Sequence, residues 1–273
     1  LDNAGSPMAD KAAQESGNPS SLGRRESYLP DLGLKIWESG DDEPFYAAIH
    51  KSPVDGKLMG YVRIPSYTPE DEKAAVEHFG KLMKKFESTT DGLVIDQLNN
   101  PGGSVFYLYS LVSMLTDQAL STPRHRVAIT QNDVSDAARF LADATKVHND
   151  EEAKKLLGEN IGGYPVSYEV FRHFLEFSRF IVSEWNAGRT LTNPTFLWGV
   201  DKINPSTTAR YTKPVMVLVN ELDFSGGDFF PAILQDNKRA TIFGTRTAGA
   251  GGFIRKVEYP NQLGVQNFVF TGS

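Results

Sequence analysis

Cysteine is absent from all 273 residues. That excludes disulfides, thiolate metal sites and a cysteine nucleophile, while leaving the compartment open. Positive charge is scarce: 28 Lys and Arg stand against 34 Asp and Glu, a formal net charge of -6. Such a balance argues against nucleic acid as an obligatory partner. No basic block exceeds Arg24-Arg25, too little for an electrostatic membrane anchor. No apolar run approaches the roughly 20 residues of a membrane span. The opening Leu1-Asp2-Asn3-Ala4-Gly5 has neither Met nor a signal-peptide pattern, and reads as a mature product or a processed fragment. Histidine is sparse too. The five at His50, His78, His125, His148 and His173 are dispersed and show no H-E-x-x-H spacing, so a zinc site has poor support.

What is present is apolar residue content of 40%, enough for one large domain or two small ones. Residues 1–28 are rich in Ser, Gly, Asn, Pro and charge, and are expected to form a flexible tail or linker remnant. Residues 29–273 are expected to form the folded domain. Phe45–Ile49 and Met59–Ile64 read as a hairpin around the turn residues Ser52-Pro53-Val54-Asp55-Gly56-Lys57. A helix is expected from Thr68 as N-cap and Pro69 as first helical residue, with Val76, Phe79, Leu82, Met83 and Phe86 at helical spacing. Gly92–Leu98 reads as a buried strand and Val105 to about Leu115 as an apolar helix. The stretch from about 118 to 210 breaks this rhythm, with helical patterns near 133–147, 151–158 and 167–186. It is expected to be a mainly helical insertion. Strand, turn, helix and strand then resume over Pro214–Val219, Ser225, the segment to Asp236, and Ala240–Gly244, followed by strand-like runs at Phe253–Tyr259 and Val265–Phe270.

The richest segment chemically is Asp223-Phe224-Ser225-Gly226-Gly227-Asp228. It puts a serine at a strand-to-helix turn, at the positive end of a helix with free backbone N–H groups beside its hydroxyl. Acyl transfer needs such preplaced donors for the oxygen of the tetrahedral intermediate. Ser225 as a simple helix cap is the other reading. Asn99-Asn100-Pro101-Gly102-Gly103 lies between another strand and helix. Its glycines read either as an oxyanion donor or as a well-formed turn. Gly244–Gly252 lacks the Gly-Lys-Ser/Thr ending of a phosphate-binding loop. An α/β-hydrolase elbow is excluded, because Asp223 stands at its first glycine and every His precedes Ser225.

Three segments together carry a resemblance. Val94-Ile95-Asp96-Gln97-Leu98-Asn99-Asn100-Pro101-Gly102-Gly103 resembles the D-L-R-x-N-x-G-G block of C-terminal processing, or tail-specific, serine peptidases. Leu218-Val219-Asn220-Glu221 with Phe224–Asp228 resembles their nucleophile block, and Arg239–Gly249 the strand and loop after it. The resemblance implies an α/β fold, a crotonase-like core of β-β-α repeats carrying the helical insertion. It implies a serine endopeptidase with Ser225 as nucleophile and an oxyanion hole from the Gly226 amide and an amide of Gly102 or Gly103. The family's G-T-K-T-x-G-K-G loop is altered: Arg246 replaces the first lysine and Ala250 the catalytic one. Arginine stays protonated and cannot act as base, so a Ser-Lys dyad is excluded.

Asp223–Leu234 together with Thr247–Phe253 resembles the branch of chlamydial protease-like activity factors, which uses Ser-His-Glu. That implies a His base from an N-terminal segment and a Glu downstream of the nucleophile block, neither assignable here. His50 is the one local substitute considered. The expectation is a catalytic domain incomplete at both ends, inactive as an isolated chain unless a base lies within it. A non-catalytic peptide-binding or scaffold protein of the same fold is the alternative, motivated by Ala250 and the missing base. No metal or organic cofactor is implied. Expected partners are protein or peptide substrates, a complementary N-terminal chain of the same protein, and a second copy in a homodimer. By resemblance the location is secreted or cell envelope.

Overall fold

Alternating and continuous apolar runs build one six-stranded sheet, whose strands lie side by side in chain order. The computed structural model describes residues 22–252, together with the strand backbones of 254–257 and 268–271. β1 (Leu34–Glu38), β2 (Ala47–Lys51) and β3 (Leu58–Arg63) form an antiparallel meander. β4 (Gly92–Asp96), β5 (Val215–Val219) and β6 (Thr241–Gly244) then continue it in parallel from β3. β4 is buried at every residue, as befits a parallel strand covered on both faces. A separate antiparallel pair, β7 (Ile254–Val257) and β8 (Phe268–Thr271), ends the described chain.

Three helices cover one face: α1 (Glu72–Thr89), α2 (Val105–Ser113) and α6 (Gly226–Asp236). Val62, Leu93, Ile95, Val217 and Val219 from the strands meet Phe79, Phe86, Leu108, Leu111, Phe230 and Ile233 from the helices in the main core. Each fully buried side chain of this kind contributes about 1.5–3 kcal/mol. The opposite face carries Tyr61, Val94 and Leu218, against which Leu29 and Leu32 pack.

Between α2 and β5 come α3 (Gln131–Ala144), α4 (Asp150–Leu157) and α5 (Tyr168–Asn186), interspersed with three antiparallel pairs of two-residue strands. The amphipathic α5 ties them together. Ile181 packs with Val127, Ile129 and Ala137 in one satellite cluster, and Phe171 with Ala144, Val147 and Ala153 in another.

Two local expectations shift. α1 starts at Glu72, with the Asp71 carboxylate accepting from the Ala74 amide at 2.9 Å, and not at Pro69. Tyr67 forms an isolated parallel bridge with Gly103, which keeps the chain extended past Thr68 and delays the first turn. Of the expected tail, residues 1–21 lie outside the described residues. Residues 22–28 are held on the sheet: Gly23 donates to the Asn99 carbonyl at 3.1 Å, Arg63 to the Arg24 carbonyl at 3.0 Å, and Ser27 and Tyr61 hydroxyls meet at 2.7 Å.

Candidate active site

The parallel strands β4 and β5 are neighbours, so the loops leaving their C-terminal ends meet. One carries Asn99–Gly103, the other Asn220–Ser225. A buried carboxylate locks them together. Asp223 accepts the Asn100 amide at 2.8 Å, the Asn220 amide at 2.9 Å and the Gln97 side-chain amide at 3.3 Å. In return the Phe224 amide donates to the Asn100 carbonyl at 3.1 Å. Burial pushes the Asp223 carboxyl up to about 6, against the opposing pull of those three hydrogen bonds.

Gln97 has a second task. α6 contains Pro231, whose missing N–H leaves the Gly227 carbonyl four residues earlier without its helical donor. The Gln97 Nε2 group fills that gap, donating to Gly227 O at 2.7 Å, while the Tyr67 hydroxyl donates to Gln97 Oε1 at 2.8 Å.

Ser225 is the residue before α6, at φ 56° and ψ -114°. Positive φ is uncommon for a residue with a side chain and costs on the order of 1–3 kcal/mol, so it persists only where the surroundings impose it. Its hydroxyl makes no capping bond to the helix. Instead it donates to the Gly252 carbonyl at 3.2 Å.

The glycine turn packs directly against this serine. A Cβ on Gly102 would lie 2.7 Å from both Ser225 Cβ and the Gly226 nitrogen. The Gly102 amide is already engaged by Asn100 Oδ1 at 2.8 Å. Gly103 differs. Tyr67 bonds to Gly102 O and Ser104 N on either side of it, and in a parallel bridge that turns Gly103's own N–H away from Tyr67. Neither Gly103 nor Gly226 has an amide hydrogen bond to any described residue. Both line a cavity of about 100 Å³ beside Ser225, whose other walls include Val105, Leu197, Trp198 and Phe229.

All five histidines lie within the described residues, and none hydrogen-bonds Ser225. His50 pairs with Met59, which pairs with Gly92 at the start of β4; Ser225 follows the end of β5. Val215 pairs with Leu93, so the end of β5 at Val219 lies five residues beyond the Gly92 level, about 16 Å along the sheet alone. His50 is therefore corrected as a substitute base. His173 donates from Nδ1 to the Gly199 carbonyl at 2.9 Å. Arg246 and Ala250 are exposed in the loop after β6. That loop is tied back by the Ala248 amide to the Asp223 carbonyl at 2.8 Å and the Gly249 amide to Asp228 Oδ1 at 2.9 Å. Among the described residues, no three His, Asp or Glu side chains gather as a metal-ligand set would. No described helix is long and apolar enough to cross a membrane.

Residues 58–271 match peptidase family S41. The chain belongs to this family. It is 42% identical over 264 residues to a protein of Chlamydia trachomatis serovar D, covering 92% of this chain and 43% of that protein. Among solved structures it is similar to mature CPAF, with TM-score 0.84 and 40% identity over 100% of this chain and 54% of that one. Mature CPAF complexed with lactacystin gives TM-score 0.81 and 42% identity over 92% and 50%. The chain thus spans about half the length of the relatives it matches. Ser225 and the Asn99–Gly103 turn lie side by side beyond the C-terminal ends of the neighbouring strands β5 and β4. Asp223, Gln97 and Trp198 were not marked as parts of the site. Pro231 inside a helix is a signal that could have pointed to a donor such as Gln97; Trp198 comes from the stretch between α2 and β5, whose periodicity shows helices and not which residues reach the cavity.

Proposed function

We propose that the protein is a serine endopeptidase with Ser225 as nucleophile, the Gly226 and Gly103 amides as its oxyanion hole, and Gly102 as the residue that lets the two loops touch. The single observation that carries this is Ser225 itself, held at positive φ with a non-capping hydroxyl beside two uncommitted amides. Ser225 Oγ attacks the peptide carbonyl, its proton passing to a base and then to the departing amine. The acyl-enzyme is released by water. Loss of one oxyanion donor typically costs about 2.7–4 kcal/mol of transition-state stabilisation.

A histidine supplied from outside these 273 residues serves as base. Support comes from Ala250 and Arg246 in place of lysines, the lack of any histidine on Ser225, and 42% identity to CPAF chains of about twice the length. The chain then acts as a catalytic portion of a longer protein, with a complementary N-terminal segment as its partner and proteins or peptides as substrates. The β3–β4–β5–β6 arrangement with α1, α2 and α6 on one face supports a crotonase-like core, with residues 118–210 as its insertion. Secretion or a cell-envelope location goes with the relatives.

The same missing base favours a second reading, a peptide-binding scaffold that has kept the fold. Ser225→Ala in the full-length protein separates the two: peptide hydrolysis should fall to background, and retained hydrolysis would sink the first reading.

A further inference from the structure

The cavity beside Ser225 has two kinds of wall. One is Ser225 with the Gly103 and Gly226 amides; the other is the apolar side chains of Val105, Leu197, Trp198 and Phe229. A carbonyl whose oxygen sits between those amides carries its own α-substituent into the apolar part. That substituent belongs to the residue on the acyl side of the scissile bond, the P1 residue.

Trp198 stands apart among these walls. It is delivered from the stretch between α2 and β5, at φ 53° and ψ 22°, a left-handed conformation that a bulky residue rarely adopts. Its ring packs on Phe174 at 5.6 Å and Phe177 at 5.5 Å, both on α5. Phe174 stacks in turn on Phe106 at 5.6 Å, the neighbour of Val105 on α2. The next residue, Gly199, accepts from His173 of the same helix α5, and a Cβ there would lie 2.5 Å from the His173 carbonyl oxygen. The turn is held at both ends, so the indole is a fixed wall and not a swinging side chain.

Resting on the proposed peptidase reading, we propose that Trp198 is the specificity-determining residue of an S1 pocket that takes a branched or straight aliphatic P1 side chain and excludes aromatic rings. The size supports this. About 100 Å³ is smaller than the roughly 150 Å³ cavity that admits benzene. Among the described residues, the lining has no charged side chain to pair with an acidic or basic P1 group. Differences of a methylene or two in such a pocket change kcat/KM by roughly 10–200-fold.

The test is cleavage-site profiling of a random peptide library by the full-length protein, with Ser225→Ala as blank. Wild type is expected to cut after Val, Leu, Ile or Met at least roughly tenfold better than after Phe or Tyr. Trp198→Ala opens the pocket and should raise the aromatic-to-aliphatic ratio about tenfold, with Trp198→Phe giving a smaller shift of the same sign. Val105→Phe adds bulk at another lining position and should shift cleavage towards Ala. Emptying and filling move the profile in opposite directions, which a folding defect does not reproduce. Ser225-dependent cleavage with a wild-type profile in the variants overturns the assignment and leaves the peptidase reading standing. Absence of Ser225-dependent cleavage in wild type removes that reading, and the pocket with it.

Discussion

A methyl group on Gly102 would press at 2.7 Å on Ser225 Cβ, the Gly226 nitrogen and the Phe224 oxygen at once, from a backbone at φ 86°. Two of those atoms are backbone and cannot swing aside. Gly102→Ala should cost stability on the order of 1–3 kcal/mol and, by displacing Gly226, lower kcat by about 100-fold. Steady-state kinetics with a denaturation curve reads both; a variant with wild-type kcat would contradict the packing described. Asp223 makes a different demand. Its carboxyl is raised from 3.8 to about 6, so the folded chain holds that proton more tightly than the unfolded chain. The stability this contributes is fully present below about pH 4 and is lost as pH rises through about 6. The wild-type melting temperature, measured relative to Asp223→Asn, should therefore decline across pH 4–6. A relative rise over that window would reverse the sign and refute it.

At the scale of elements, α6 begins with a strained serine and contains a proline, and both irregularities are answered from β4 and its loop. Gln97 donates to the carbonyl that Pro231 orphans, so the two residues should be energetically coupled. Gln97→Leu is expected to cost about 1–3 kcal/mol through the groups it leaves unpaired. Pro231→Ala restores an N–H able to reach Gly227 O and should recover part of that loss. A double-mutant cycle from denaturant midpoints measures the coupling; simple additivity would show that Gln97 serves only Tyr67 and Asp223. Elements of this kind explain what the sequence made legible. β4, β5 and α6 declare themselves through apolar runs and glycine turns, so Ser225, Gly226, Gly102 and Gly103 could be named from local pattern. The late start of α1 could not, because the Tyr67–Gly103 bridge that delays it joins residues 36 apart.

Across the whole molecule the same divide holds. The sheet order follows the chain order, which short connections and parallel β-α units favour, and the nucleophile loops meet because β4 and β5 are adjacent. The stretch from about 118 to 210 was readable as helices but not as a surface. Nothing in its periodicity tells that Trp198 leaves helical geometry and reaches the cavity at Ser225. The attachment of residues 22–32 to the back of the sheet was likewise hidden, since their polar composition suggests solvent, whereas it is backbone and aromatic contacts to Arg63 and Tyr61 that hold them. His50 shows the limit most plainly. Its place on the first hairpin was readable, but not that this strand end lies far from Ser225 along the sheet.

The central claim is that Ser225 is an acyl-transfer nucleophile. Intact-mass analysis of the full-length protein after treatment with a fluorophosphonate tests it most directly. The account predicts a single adduct that maps to Ser225 and vanishes in Ser225→Ala. An unlabelled protein, or an adduct that survives that substitution, would contradict it.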